Sequence, residues 1–376
     1  EDGNSSGTTE LMLRSMLKST MTRKGDLIAL ELESYGAQVT VVNEPDYFGY
    51  ILDVPSRNAE KAIAVLVEIL ENPYFDPKEI AKEKDLLLSR QLEYRDEMAG
   101  RARDLAGASV FQGHPYGMPR YGLAASVKTL TDDILEAWYK RTIKKQFPMI
   151  VIIGDTDGSS LVSTAFAEAF KRSSGELEAT MKLNLPAPIA QTREFVEQRS
   201  RASSSQVLAF RAGTTQPNPY AVAVLANLIA GPGAKIPGDL GEKQPLPLLM
   251  SDEYRPRLAG STFFISLLSF PEDEVRAREA LLKQLEALVA GPPSDQELEM
   301  AKNRAIGTYA VITQRNSNRV REYAEAVLFN RKAVEVDNQA ELIRAVKKED
   351  VVTAAQLILK NSNKGFGAVR GEVPKN

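Results

Sequence analysis

The sequence has no cysteine, a single histidine (His114) and a single tryptophan (Trp138), and each scarcity removes a class of chemistry. Without cysteine there are no disulfides, thiolate metal sites, iron–sulfur clusters or cysteine nucleophiles, while the redox compartment stays open. With one imidazole, no site that needs two histidines can be built within the chain. Neither sign of charge is in marked excess. Lys and Arg total 47 against 50 Asp and Glu, a net charge of −3, which argues against a nucleic-acid partner whose phosphates demand a basic face. No run approaches the ~18 to 20 uninterrupted apolar residues of a membrane span. The opening EDGNSSGTTE is acidic and polar, with neither a basic start nor an apolar stretch, so it is not read as a signal peptide. A soluble protein of the bacterial periplasm or cytoplasm fits these features.

What is present is an ordinary globular inventory, 43% apolar and 26% charged over 376 residues. At ~150 residues per domain, two domains are expected. Apolar residues at helical spacing predict two helices between Glu10 and Tyr35. Val/Thr/Tyr/Phe-rich stretches at Gln38 to Asn43 and Tyr47 to Val54, separated by Asn-Glu-Pro-Asp, predict a β-hairpin. Helices follow at Arg57 to Glu71, Pro77 to Met98, Arg101 to Phe111 and Thr131 to Thr142. A short buried strand is expected at Met149 to Gly154 and a helix from Asp155 to Arg172. Beyond an aperiodic, proline-containing stretch, strands are expected at Gln206 to Arg211, Gly260 to Phe270 and Phe366 to Val369. Helices are expected at Tyr220 to Ala230 and in five segments between Glu272 and Leu359.

The second half repeats the first. An offset of 218 carries Glu79 to Glu297, Arg101 to Arg319, Arg103 to Arg321, Ala106 to Ala324 and Phe111 to Phe329, each onto its own residue type. In both halves a strand ending at a proline (Pro55, Pro271) precedes an apolar helix. Matching element order makes duplication the better reading. The expected fold is therefore α+β: two tandem similar domains, 1–172 and 191–376, each a mostly antiparallel sheet with helices on one face, joined by a 173–190 linker.

Gly7 to Thr20, ELESYGAQVTVV (Glu31 to Val42), NPYFDPKEIAKEK (Asn72 to Lys84), GHPYGMPRYG (Gly113 to Gly122), VIIGDTD (Val151 to Asp157) and, more weakly, ANLIAGPG (Ala226 to Gly233) carry a resemblance. In order and spacing they resemble the insulinase/pitrilysin-type zinc peptidase family, in particular the two-domain subunits of processing-peptidase-like members. Family members open with two strands before the first helix. This sequence starts where those strands end, so it is expected to be part of a longer polypeptide or to lack them.

The resemblance also implies where catalysis would sit. The family carries HxxEH on the first helix, its two histidines one turn apart so that both reach one zinc ion, and a downstream glutamate completes the site. Laid over that motif, this sequence offers Glu10 and Arg14 for the histidines, Leu13 for the base, and Ser89 or Arg90 for the downstream ligand. A guanidinium stays protonated and a leucine takes no proton, so no catalytic residue, no metal ligand and no bound cofactor are expected here. Zinc is expected in a catalytic partner. A non-catalytic partner subunit in such complexes can supply an arginine and a tyrosine seven residues apart; here Tyr254 and Ser261 take those places, with Arg255 and Arg257 nearby. His114, in Gly-His-Pro-Tyr-Gly, reads as a polar turn residue holding its loop.

The Gly/Pro loop after Ala230 lacks the Gly-Lys-Ser/Thr closure of a phosphate loop. In the family the corresponding loop overlies the partner's cavity, which makes Gly231 and Gly233 candidate peptide contacts, with Arg255. The family's counterpart of strand 39–43 accepts substrate as an added strand, which makes Val41 and Val42 candidates too. The leading expectation is a non-catalytic subunit or half of an insulinase-type zinc metallopeptidase, pairing with an HxxEH-bearing subunit or domain and holding unfolded peptide. The alternative is a structural or assembly subunit of this fold with no role in proteolysis. A self-sufficient hydrolase with another site ranks last, since one histidine and no cysteine leave few nucleophile–base pairs.

Overall fold

The computed structural model describes residues 4–144, 148–155, 157, 160, 165–166, 184–213, 215–231, 249–359 and 364–372. In the first repeat the elements run α1 (Thr8–Met16), α2 (Gly25–Ser34), β1 (Gln38–Asn43), β2 (Phe48–Asp53), α3 (Ala59–Glu71), α4 (Pro77–Asp96), α5 (Met98–Phe111), α6 (Ala124–Thr129) and α7 (Asp132–Thr142). Then come β3 (Glu194–Gln198), β4 (Ser204–Arg211), α8 (Pro219–Ile229), β5 (Leu249–Arg255), β6 (Thr262–Ser269), α9 (Glu274–Ala290), α10 (Asp295–Ile312) and α11 (Asn316–Leu328). The chain closes with α12 (Val334–Asp337), α13 (Gln339–Arg344), α14 (Lys348–Ile358) and β7 (Lys364–Arg370). The fold is mixed helix and sheet, as expected. The offset of 218 superposes the starts of α4 on α10 and of α5 on α11.

Packing divides the chain into two compact units whose segments interleave along the sequence. The first takes Glu1–Leu92, Pro119–Lys182 and Thr313–Leu328; the second takes Glu93–Met118, Leu183–Ile312 and Phe329–Asn376. Each repeat thus gives one helix to the other's unit: α5 belongs to the second and α11 to the first. Sequence repeats and packing units do not coincide.

In the first unit, β1 and β2 form an antiparallel hairpin with Val41 opposite Tyr50 and Val39 opposite Leu52. These side chains pack on a core of Leu11, Met12, Leu13, Met16, Ile28, Leu32, Val65 and Ile69. α1 is its centre, buried at every position except Arg14. Gly7, at φ 94°, starts that helix, and a Cβ there would lie 2.8 Å from the Val127 side chain, so only glycine fits. α11 packs against β2, where the Tyr47 hydroxyl donates to Glu325 and Arg321 pairs with Glu44 at 3.5 Å. Residues 149–154, expected as a strand, are not one. Ile150 and Ile152 pack beside Ile63, and among the described residues this stretch has none of the ladder bonds that define a strand.

The second unit holds a five-stranded sheet in the order β3-β7-β4-β6-β5, antiparallel except for the β3–β7 pair. One face, with Leu208, Phe210, Phe263, Ile265 and Leu267, packs on helices of its own repeat: α8, α9, α10, α13 and α14. The other, with Val207, Ala209, Phe264 and Val369, packs on Ala102, Ala106, Val110 and Phe111 of α5. Burial on both faces explains why β4 and β6 read as continuous apolar runs rather than alternating ones. Sequence periodicity missed two strands. β5 carries three charged residues, Asp252, Glu253 and Arg255, within four positions, and β3 is a short edge strand at the other end. Of the expected linker, 184–190 has no regular structure and 173–183 lies outside the described residues, as does most of the helix expected at 155–172.

Candidate functional site

Helix α1 carries the positions that correspond to HxxEH: Glu10, Leu13 and Arg14. Glu10 is 5% exposed and Leu13 is 1% exposed. One turn separates Glu10 from Arg14, and the Arg14 Nε donates to Glu10 Oε1 at 2.6 Å, with a terminal guanidinium nitrogen 2.6 Å from the same oxygen. Two neighbouring groups are also bonded. The Trp138 indole N–H donates to Thr9 Oγ1 at 3.0 Å, and the Tyr50 hydroxyl donates to the Leu13 carbonyl at 2.7 Å. Burial, assisted by the charge of Glu10, pushes the Tyr50 hydroxyl well above its ordinary range, so it stays protonated.

On α4, Ser89 is exposed and Arg90 half-buried; the buried positions are Ile80, Glu83, Leu87 and Gln91. Glu83 pairs with Lys18 Nζ at 3.0 Å, and Gln91 Nε2 donates to the carbonyls of Tyr121 (2.7 Å) and Gly122 (3.2 Å). Among the described residues no cluster of three or more His, Asp or Glu could hold a metal ion. A zinc ion does not fit α1. Its places are taken by a carboxylate already bonded, a leucine and a cation.

Val41 and Val42 lie side by side on β1 yet face differently. The hairpin turn is closed by Glu44 N–H donating to the Tyr47 carbonyl at 2.9 Å. Antiparallel alternation from that pair puts Val42 in a hydrogen-bonded pair with Gly49 and leaves the N–H and C=O of Val39, Val41 and Asn43 turned away from β2. Val41 therefore offers main-chain groups to a further strand. Val42 is spent on the ladder and buried at 7%.

The remaining candidates belong to the second unit. The Arg255 Nε donates to Glu253 Oε1 at 2.6 Å, and its guanidinium lies 5.6 Å from the Phe264 ring. Tyr254 and Ser261 converge on a residue sequence reasoning did not single out, Gln216. Its Oε1 accepts from Ser261 Oγ at 2.6 Å and lies 3.5 Å from the Tyr254 hydroxyl, and its Nε2 donates to the Arg257 carbonyl at 2.7 Å. Arg257 is buried, stacked 4.6 Å from the Tyr116 ring and 5.2 Å from that of Phe111, and donates to the Tyr116 carbonyl at 3.0 Å. Gly231 follows the end of α8, where a Cβ would lie 2.7 Å from the Asn227 carbonyl oxygen; Gly233 lies outside the described residues. His114 holds its turn: Nδ1 accepts from Tyr116 N–H at 3.2 Å, which leaves Nε2 to donate to the Asn184 carbonyl at 2.7 Å. No local signal marks Gln216, or the Lys18–Glu83 pair, because each acquires its role from residues distant in sequence.

The insulinase (peptidase family M16) model matches residues 1–122, and the peptidase M16 inactive domain model matches residues 129–305. An uncharacterised zinc protease of Rickettsia bellii is 22% identical over 367 residues, spanning 96% of this chain and 87% of that protein. The mitochondrial cytochrome b-c1 complex subunit 1 of Mus musculus is 25% identical over 148 residues, 39% of this chain and 31% of that one. The probable mitochondrial-processing peptidase subunit beta of Arabidopsis thaliana is 23% identical over 252 residues, 65% of this chain and 47% of that one. Among solved structures, a peptidase M16 inactive domain from Pseudomonas fluorescens superposes with a TM-score of 0.84 at 18% identity, over 100% of this chain and 91% of that one. The chain belongs to the insulinase family of peptidases, family M16.

Proposed function

We propose that this chain is a non-catalytic subunit or half of an insulinase-type zinc metallopeptidase, pairing with an HxxEH-bearing subunit or domain that supplies the zinc. The observation that carries this reading is the bonded Glu10–Arg14 pair on α1, with Leu13 where a base would stand. With a family scaffold and no group able to activate water at that position, the chain's contribution to proteolysis is to bind. Unfolded peptide would add as a strand to β1, whose outward N–H and C=O groups at Val39 and Val41 give affinity without reading side chains. The partial match to a cytochrome b-c1 complex subunit supports a second reading, an assembly subunit of this fold with no role in proteolysis.

The test is co-expression with an HxxEH-bearing M16 protein from the same source, followed by purification and digestion of an unfolded peptide. Stable association and cleavage by the pair, but not by this chain alone, is the expected outcome. Association without any effect on cleavage favours the assembly reading. Cleavage by the isolated chain, abolished by a chelator, would overturn both.

A further inference from the structure

We propose that two ion pairs, Glu10–Arg14 and Lys18–Glu83, form an internal clamp that holds α1 in its core without a metal and closes this position to divalent cations. The argument starts from burial. α1 is buried at eight of its nine positions, Glu10 among them. A carboxylate so enclosed, with no counter-charge, carries a large desolvation cost. Arg14, at the helix's one open position, lies a turn along and directs two nitrogens onto Glu10 Oε1. Four residues further, just past the helix end, Lys18 reaches the buried carboxylate of Glu83 on α4 at 3.0 Å and so ties the two helices together.

The signs at 10, 14, 18 and 83 are negative, positive, positive and negative, and they cancel. A divalent cation entering here would meet a resident guanidinium and ammonium rather than a set of open donors. Two other polar groups around α1 are committed as well, the Thr9 hydroxyl to Trp138 and the Leu13 carbonyl to Tyr50, whereas the buried Ser15 hydroxyl has no partner among the described residues and, as a single neutral oxygen, does not make a cation site. The inference concerns how α1 is held and stands whether or not the chain pairs with a peptidase.

The experiment uses the full chain and four proteins: wild type, Glu10→Gln, Arg14→Met and the double variant. Thermal midpoints are read in buffer, with a chelator and with added zinc, and native mass spectrometry reads zinc stoichiometry. Neither chelator nor zinc is expected to move the wild-type midpoint. Arg14→Met, which leaves Glu10 without its partner, should lower the midpoint by roughly 5 °C or more, and adding Glu10→Gln should recover much of that loss. If Arg14→Met does not fold while the double variant does, the clamp is supported. Should neither fold, the wild-type measurements decide. A saturable rise of the wild-type midpoint with zinc, one bound zinc per chain, or an Arg14→Met loss no greater than that of the double variant would overturn the proposal.

Discussion

A side chain on Gly367 would collide with the backbone of Ala102: a Cβ there would lie 2.1 Å from the Ala102 carbonyl oxygen and 2.3 Å from the Ala106 nitrogen. β7 and α5 come from opposite halves of the sequence, and their close contact depends on the absence of a side chain at Gly367. Because the obstacle is backbone, it cannot rotate aside. Gly367→Ala is expected to destabilise the protein by about 2 kcal/mol or more, in the range of core overpacking. Gly307→Ala, on α10 where a Cβ meets nothing within 4 Å, should be neutral or stabilise by up to ~1 kcal/mol. Urea denaturation midpoints for the two variants check the contrast.

The exchange of helices predicts the behaviour of fragments. A piece ending at 172 lacks α11, and a piece starting at 191 lacks α5, whose loss uncovers Val207, Ala209, Phe264 and Val369 on one sheet face. Each piece alone should bind the dye ANS and show weak near-ultraviolet dichroism, and co-expression should restore a soluble, cooperatively unfolding pair. A fragment that unfolds cooperatively by itself would contradict the exchange.

Asp252 predicts a pH dependence. Burial pushes its carboxyl up to about 6 from an ordinary 3.8, and a bond from its own backbone N–H opposes the rise only in part. Between roughly pH 4 and 6 the folded chain therefore holds a proton that the unfolded chain has released. Stability from this group is fully present below about pH 4 and is lost as pH rises through 6, a change of at most about 2 to 3 kcal/mol. Asp252→Asn should remove this component of the wild-type pH profile and raise stability at pH 7 by about 1 to 2 kcal/mol. Urea titrations of both proteins from pH 4 to 8 measure it.

The hairpin register predicts opposite outcomes for two adjacent prolines. The Val41 N–H points away from β2, so Val41→Pro removes no ladder bond and the chain should fold, yet it should lose peptide binding at that edge. Val42→Pro breaks the pair with Gly49 and should cost about 3 kcal/mol. Fluorescence anisotropy of an unfolded peptide, alongside melting curves, separates the two effects. Unchanged binding by Val41→Pro would remove β1 as the peptide edge.

Local pattern made much of this fold readable. The starts of α4 and α10, Pro77 and Asp295, were readable and lie 218 apart, whereas α5 and α11 begin at Met98 and Asn316, two to three residues before the expected Arg101 and Asn318. The exchange was not readable, since Gly100, Ala102, Ala106 and Gly107 describe a helix with a slender side without saying which sheet it lies on. Their counterparts, Gly365 and Gly367, are more than 250 residues away in the chain. The residue types at positions 10, 13 and 14 were legible directly, but the burial of Glu10 was not, because it depends on what packs around α1. The Gln216 cluster was not, because an amide shows its role only once Ser261 and Tyr254 are folded against it.

The crossing of α5 and α11 also bears on how such a chain can be inherited or rebuilt. A recombinant made by joining the front of one relative to the back of another would mate each sheet with a foreign helix. Substitutions at Ala102 and Gly367 would then have to travel together although they sit on opposite sides of the joint. The segment that can be transplanted intact is set by spatial partnership rather than by the tandem halves, so a chimera of two relatives should work best when its crossovers fall around the traded helices.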